Sequence, residues 1–212
     1  MLTLYSHPLS SYCWKVLIAL YDSDIPFEAR MVNLGDPAER AEYLKISPFG
    51  KIPTLKDGAR VILETSIMIE YLAMKYPKAA GLIPKDTEAA LKMRAKDRFF
   101  DLYLNTLLGK VTTDKLRPAD KRDGLGVEMA MNDMHTAIGI VETDMAHSTW
   151  AAGETFTMAD CAAAPALFYV NNLIPYAQGY PNTARYLDRL LQRPSVARVI
   201  DEAKPYFHMV PK

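Results

Sequence analysis

Two adjacent hydroxyls, Ser10 and Ser11, stand in front of Tyr12-Cys13-Trp14-Lys15-Val16, where a short apolar run ends and an apolar series at helical spacing begins. Backbone N–H groups without acceptors and the positive end of the helix dipole converge at such a junction, so a thiolate or carboxylate is favoured there. A serine hydroxyl at that point can donate to an anion or serve as an ordinary helix cap, and Ser11 is placed as well as Ser10. Cys13 reads either as a small apolar residue of the first turn or as a working sulfur. At a second helix start, the Thr65 hydroxyl and the local N–H groups can hold a carboxylate, while Glu64 can pair with an ammonium. The histidines, at 7, 135, 147 and 208, are scattered without ligand spacing, and neither a Gly-rich phosphate loop nor a Ser/His/Asp arrangement is evident.

The elements that must position these residues follow from periodicity. Residues 2–5 read as a strand, a break follows at His7-Pro8, and Trp14, Val16, Leu17, Ile18 and Leu20 recur as a helix face. Residues 27–32 give a second strand and 36–45 a weakly amphipathic helix. Two short runs, 54–55 and 61–63, flank Asp57-Gly58, a hairpin signal. Thr65 or Ser66 then caps a helix that Pro77 stops. The first module is therefore βαβαββα over residues 1–77. Gly81 and Pro84 mark a linker at 78–86, and 87–212 reads as an all-helical domain. Its helices are expected at 91–111, 127–145, 158–169, 183–191 and 195–202, the first with too many apolar residues for one narrow stripe.

Composition narrows the function classes. The 212 residues carry 25 basic and 25 acidic side chains, so no global field draws the chain to nucleic acid or an anionic membrane. No apolar stretch approaches the ~20 residues that span a bilayer, and the first eight residues lack the pattern of a signal peptide, which points to a cytoplasmic protein. The cysteines, Cys13 and Cys161, are expected to stay reduced.

Four separated motifs, in order, resemble those of the cytosolic glutathione S-transferases. Ser10-Ser11-Tyr12-Cys13-Trp14-Lys15-Val16 is similar to the start of the serine-type, zeta- or theta-like bacterial members, with Tyr12 departing from the zeta pattern. Ser47-Pro48-Phe49-Gly50-Lys51-Ile52-Pro53-Thr54-Leu55 resembles the family element whose proline is cis, and Glu64-Thr65 resembles the Gln/Glu-Ser pair before the next helix. Gly153-Glu154-Thr155-Phe156-Thr157-Met158-Ala159-Asp160 resembles a structural segment in which Thr157 and Asp160 form a reciprocal cap.

The resemblance implies a thioredoxin-like domain followed by an all-α domain, with glutathione as co-substrate. Ser10 would stabilise the glutathione thiolate, with Ser11 as its neighbour. Ile52 would pair with the peptide main chain beside cis Pro53, Lys51 would reach the glycyl carboxylate, and Glu64 with Thr65 would hold the γ-glutamyl head. A small hydrophobic or electrophilic substrate would dock on Pro8, Leu9, Tyr12, Phe100, Tyr103 and Leu107. An isomerase of the maleylacetoacetate type would need a cation from Lys15, Arg94 or Arg98 in that pocket. A dehalogenase, a thiol reductase using Cys13 and a non-catalytic interaction protein remain as rivals. Surplus apolar surface on the 91–111 helix points to a homodimer.

Overall fold

A computed structural model of the chain describes residues 1–211. Four strands form one sheet in the order β2-β1-β3-β4, from β1 (Leu2–Ser6), β2 (Phe27–Met31), β3 (Thr54–Asp57) and β4 (Arg60–Ile62). β1 runs parallel to β2 and antiparallel to β3, with Leu4 facing Ala29 on one side and Leu55 on the other. Leu2 and Leu4 are buried while Thr3 and Tyr5 are half-buried, the alternation that sets one face against the core. The β3–β4 hairpin turns through Gly58 and Ala59, and Gly58 takes a φ of +59° that a side chain would oppose.

The helices of this half are α1 (Ser11–Asp22), α2 (Pro37–Leu44) and α3 (Thr65–Lys75), so the order βαβαββα stands as read. Thr65 is the first helical residue of α3 rather than its cap; Glu64 holds the cap position with no side-chain hydrogen bond. A 3-10 turn, Pro77–Leu82, occupies much of the interval expected as a linker and buries Ala79 and Leu82.

The second half is helical throughout: α4 (Thr87–Phe100), α5 (Thr106–Lys115), α6 (Gly124–Asp144), α7 (Met158–Val170), α8 (Pro181–Leu191) and α9 (Pro194–Ala203). α4 starts four residues before the apolar pattern does, because Asp86 caps it by accepting from the Ala89 N–H at 2.8 Å. The helix expected at 91–111 is not one regular rod. A π turn, Asp101–Asn105, interrupts it, and α5 carries it on to Lys115. α7 packs against both α1 and α4, and one hydrophobic core runs from the sheet through Trp14 and Ile18 to Cys161, Leu167 and Val199. The expected cap is present: Asp160 accepts from the Thr157 N–H at 2.8 Å, from the Ala151 N–H at 2.8 Å and from the Tyr186 hydroxyl at 2.6 Å. Among the described residues, no helix is long and apolar enough to cross a membrane.

Candidate functional site

Ser10 caps α1, its Oγ accepting from the Cys13 N–H at 3.3 Å. That bond uses a lone pair and leaves the hydroxyl proton free to donate. The loop carrying Ser10 is tied down on several sides. Its own N–H donates to the His7 carbonyl at 3.1 Å, Trp14 Nε1 donates to the Pro8 carbonyl at 2.5 Å, and the Tyr169 hydroxyl donates to the Leu9 carbonyl at 3.0 Å. His7 Nδ1 accepts from the Leu9 N–H at 3.2 Å, a role that needs a neutral ring, and burial lowers the His7 pKa in the same direction. Cys13 lies wholly buried beneath this loop. Burial pushes its thiol up to about 12, against hydrogen bonds from Ser10 and His7, so Cys13 is a neutral packing residue.

A cleft of about 430 Å³ brings together Lys51, Ile52, Pro53, Glu64 and Thr65 with Tyr12, Gly50, Arg98 and Asp101. The Ile52-Pro53 bond is cis. Glu64 sits at φ +66°, ψ 117°, a conformation that typically costs a side-chain-bearing residue about 1–3 kcal/mol. The first N–H groups of α3 have no side-chain cap, and Glu64 and Thr65 at that helix start line this cleft. Lys51 is exposed and has no carboxylate partner among the described residues.

The wall behind the cleft is an ion cluster. Lys15 is fully buried, with Nζ 2.8 Å from Asp101 Oδ2 and 2.9 Å from Ser66 Oγ. It also lies 2.7 Å from Asp97 Oδ1, outside hydrogen-bond angles, so that contact is an ion pair. The Ser66 hydroxyl donates to Asp97 Oδ2 at 2.5 Å. Burial raises the Asp101 pKa; Lys15 opposes the rise and Asp97 adds to it. Of the cations left open by sequence, Lys15 is thus spent inside the wall and Arg94 is paired with Glu70 at the surface. Arg98, half-exposed and 3.4 Å from Asp101 Oδ2, lines the cleft.

Ser10 and Ser11 line a second cleft of about 360 Å³ with Leu9, Tyr12, Asn105, Leu108, Gly109, Thr112 and Tyr169. Tyr12 borders both clefts. Its hydroxyl donates to the Asp101 carbonyl at 3.1 Å, an oxygen that also accepts from the Thr106 N–H and the Thr106 hydroxyl, so the phenol proton is committed to the π turn. Burial raises the Tyr12 pKa and keeps it neutral. The Ser10 and Ser11 hydroxyls, by contrast, donate no hydrogen bond among the described residues.

Of the other expected wall residues, Pro8 lines a separate groove between α1 and α9, and Phe100 is 2 % exposed in the core. Tyr103 is exposed and tilts on Phe99 at 5.6 Å, and Leu107 packs half-buried against the core. Phe100 sits inward on the regular α4 face it shares with Met93 and Asp97, ahead of the π turn, whereas Leu107 follows that turn and packs against the core. Sequence reading missed Asn105, Leu108, Thr112 and Asp101, all on that turn or just after it. Asp97 and Asp101, four residues apart, were the available signal, since two carboxylates on one buried face require a cation.

Residues 4–80 match the family model of the glutathione S-transferase N-terminal domain, and residues 69–194 that of the glutathione S-transferase C-terminal domain. Glutathione S-transferase GstB of Escherichia coli K12 is 24% identical over 207 residues, covering 94% of this chain and 98% of that protein. A probable maleylacetoacetate isomerase of Caenorhabditis elegans is 26% identical over 204 residues, covering 95% of this chain and 94% of that protein. The crystal structure of a glutathione transferase homolog from Sulfitobacter, with bound glutathione, superposes with a TM-score of 0.79 at 26% identity, covering 95% of this chain and 98% of that one. With the C-terminal match alone spanning more than half of the sequence, the chain belongs to the glutathione S-transferase family.

Proposed function

We propose that the chain is a glutathione transferase in which the Ser10 hydroxyl holds the glutathione thiol as a thiolate for attack on a small electrophile. The observation that carries this reading is the Ser10 hydroxyl itself: fixed as a helix cap with its proton unspent, it stands across Tyr12 from a cleft grouping Lys51, Ile52, Pro53, Glu64 and Thr65. Ser11 lines the same wall without an anchoring hydrogen bond among the described residues, which makes Ser10 the better preorganised donor.

The electrostatics suffice without a general base. A free thiol has a pKa near ~8.5, and a hydrogen bond to a charged acceptor contributes about 1.5–3 kcal/mol. At about 1.4 kcal/mol per unit, Ser10 lowers the bound thiol by about one to two units, and the α1 dipole adds up to about 1 kcal/mol. In the first cleft, the free N–H groups of α3 and the Thr65 hydroxyl take the γ-glutamyl carboxylate, Glu64 takes its ammonium, and Lys51 takes the glycyl carboxylate. A second reading, a glutathione-dependent isomerase acting on an anionic diketo acid, needs a cation beside the second substrate; Arg98 lines the glutathione cleft and no Lys or Arg lines the second cleft among the described residues, which favours the transferase.

Exposed Ile67, Met74, Leu91, Leu102 and Tyr103, on α3, α4 and the π turn, support a homodimer, whose mass sedimentation equilibrium reads directly. Calorimetric titration of glutathione into the chain tests the binding half of the proposal. Binding that weakens about tenfold or more in Thr65→Val is expected, from loss of a hydrogen bond to a charged group. No heat of binding to the parent chain sinks it.

A further inference from the structure

Asn105 ends the π turn and is 2 % exposed, yet neither its Oδ1 nor its Nδ2 has a hydrogen-bond partner. The other buried side-chain atoms in that condition, Oδ1 of Asp97 and Oδ1 of Asp101, belong to carboxylates held by the Lys15 ammonium. Among the described residues, Asn105 is the one side chain whose polar atoms are all both closed to solvent and without a partner. Buried amides are satisfied as a rule, and an apolar side chain of the same shape would serve the fold better. The amide therefore answers to something outside the fold.

Its surroundings say what. Asn105 lines the second cleft with Ser10 and Ser11, and Leu108, Gly109 and Thr112 continue its helix face. Two further polar groups on that wall are occupied: the Thr113 hydroxyl donates to the Gly109 carbonyl at 2.7 Å and the Tyr169 hydroxyl to the Leu9 carbonyl. The amide thus lies just beneath a largely apolar wall of the cleft that also carries Ser10, and a side-chain rotation presents its Nδ2–H to a bound molecule.

We propose that Asn105 selects the second substrate, its Nδ2–H donating to a carbonyl oxygen conjugated to the electrophilic carbon. The inference rests on the transferase reading above. The thiolate sulfur forms the S–C bond to the β-carbon of an enone, the C=C pair shifts toward the carbonyl carbon, and the carbonyl pair moves onto oxygen as an enolate. The α-carbon then takes a proton from water, so the sum is addition of glutathione across the double bond. Charge reaches the oxygen only as the bond forms, so the amide acts on kcat more than on KM. An alkyl halide has no such oxygen and gains nothing from the amide.

The test compares benzylideneacetone with benzyl chloride, each with glutathione, in the parent chain, Asn105→Leu and Asn105→Ser. Asn105→Leu is expected to lower kcat/KM for the enone about 10- to 100-fold, mainly through kcat, the loss of a donor to a charged oxygen. It should change benzyl chloride turnover by less than about threefold, within the spread expected when no polar contact is lost. Asn105→Ser, which keeps a donor, should recover part of the enone rate. Equal losses on both substrates, an unchanged enone rate, or a Leu variant that does not fold would each overturn the assignment. A parent chain that binds glutathione but ignores the enone overturns the selection by Asn105 alone, whereas a parent that binds no glutathione removes the transferase reading beneath it.

Discussion

Replacing Lys15 by Met removes an ammonium while keeping the unbranched stem that packs in α1. Asp97 and Asp101 are left at 1% and 4% side-chain exposure, with only Arg98 near, 3.4 Å from Asp101 at the cleft rim. Removing one partner of a buried pair typically costs about 3–5 kcal/mol, because the remaining charge has no water and no counter-ion. At about 2–4 °C per kcal/mol for a chain of this size, Tm at pH 7 should fall by about 6–20 °C. The loss must also depend on pH. Burial already raises the Asp101 pKa, and the variant loses the ammonium that opposes the rise. A carboxyl raised in the folded state contributes stability that is fully present below its unfolded value of 3.8 and is lost as pH rises through the folded value. The deficit in Lys15→Met should therefore be greatest at neutral pH and shrink toward pH 4, and Asp101→Asn in the same background should recover part of it. Calorimetric unfolding at pH 7 and pH 4.5 reads both effects. A Tm within a degree or two of the parent, or a deficit flat with pH, would refute the account of the cluster.

Other consequences are simpler to state. His7 is lowered below 6.5 by burial, so the stability it contributes is complete above that value and is lost as pH falls through its folded value. Amide protection at Leu9 and Ser10, taken relative to the intrinsic exchange rate at each pH, should fall over that acid window in the parent but not in His7→Asn; identical profiles would contradict the His7–Leu9 bond as an anchor. Thr157→Ala removes half of the α7 capping box and should cost about 1–2 kcal/mol in urea unfolding, with glutathione binding unchanged in whatever remains folded. A neutral effect would mean that Asp160 alone secures the cap.

Much of this architecture was legible in the residues, for reasons that also explain what was not. Period-two and helical patterns, the Asp57-Gly58 turn and the Thr157 to Asp160 spacing are local signals, and each appears where local physics puts it. The π turn has no such signature: Asp101–Asn105 continues a helical pattern, and the extra residue is held by the Tyr12 and Thr106 hydroxyls on one carbonyl, a contact across 89 positions of chain for Tyr12. That turn ends on Asn105, which lines the second cleft, whereas Phe100 precedes it and is buried on the regular α4 face of Met93 and Asp97. The place of Lys15 was left open between the substrate pocket and elsewhere because its partners, Ser66, Asp97 and Asp101, lie on other elements. The grouping of the first cleft was readable because Ile52-Pro53 and Glu64-Thr65 each form a short contiguous segment, whereas the second cleft is assembled from a loop, a π turn and a distant Tyr169.

The thiolate absorbance of bound glutathione near 240 nm, followed against pH in the parent chain and in Ser10→Ala, reads the function of that hydroxyl directly. The account predicts a thiol pKa about one to two units below the free value near ~8.5 in the parent, rising by a similar amount in Ser10→Ala while glutathione still binds. The same low pKa in both proteins would contradict it and transfer the role to Ser11 or to the helix start alone.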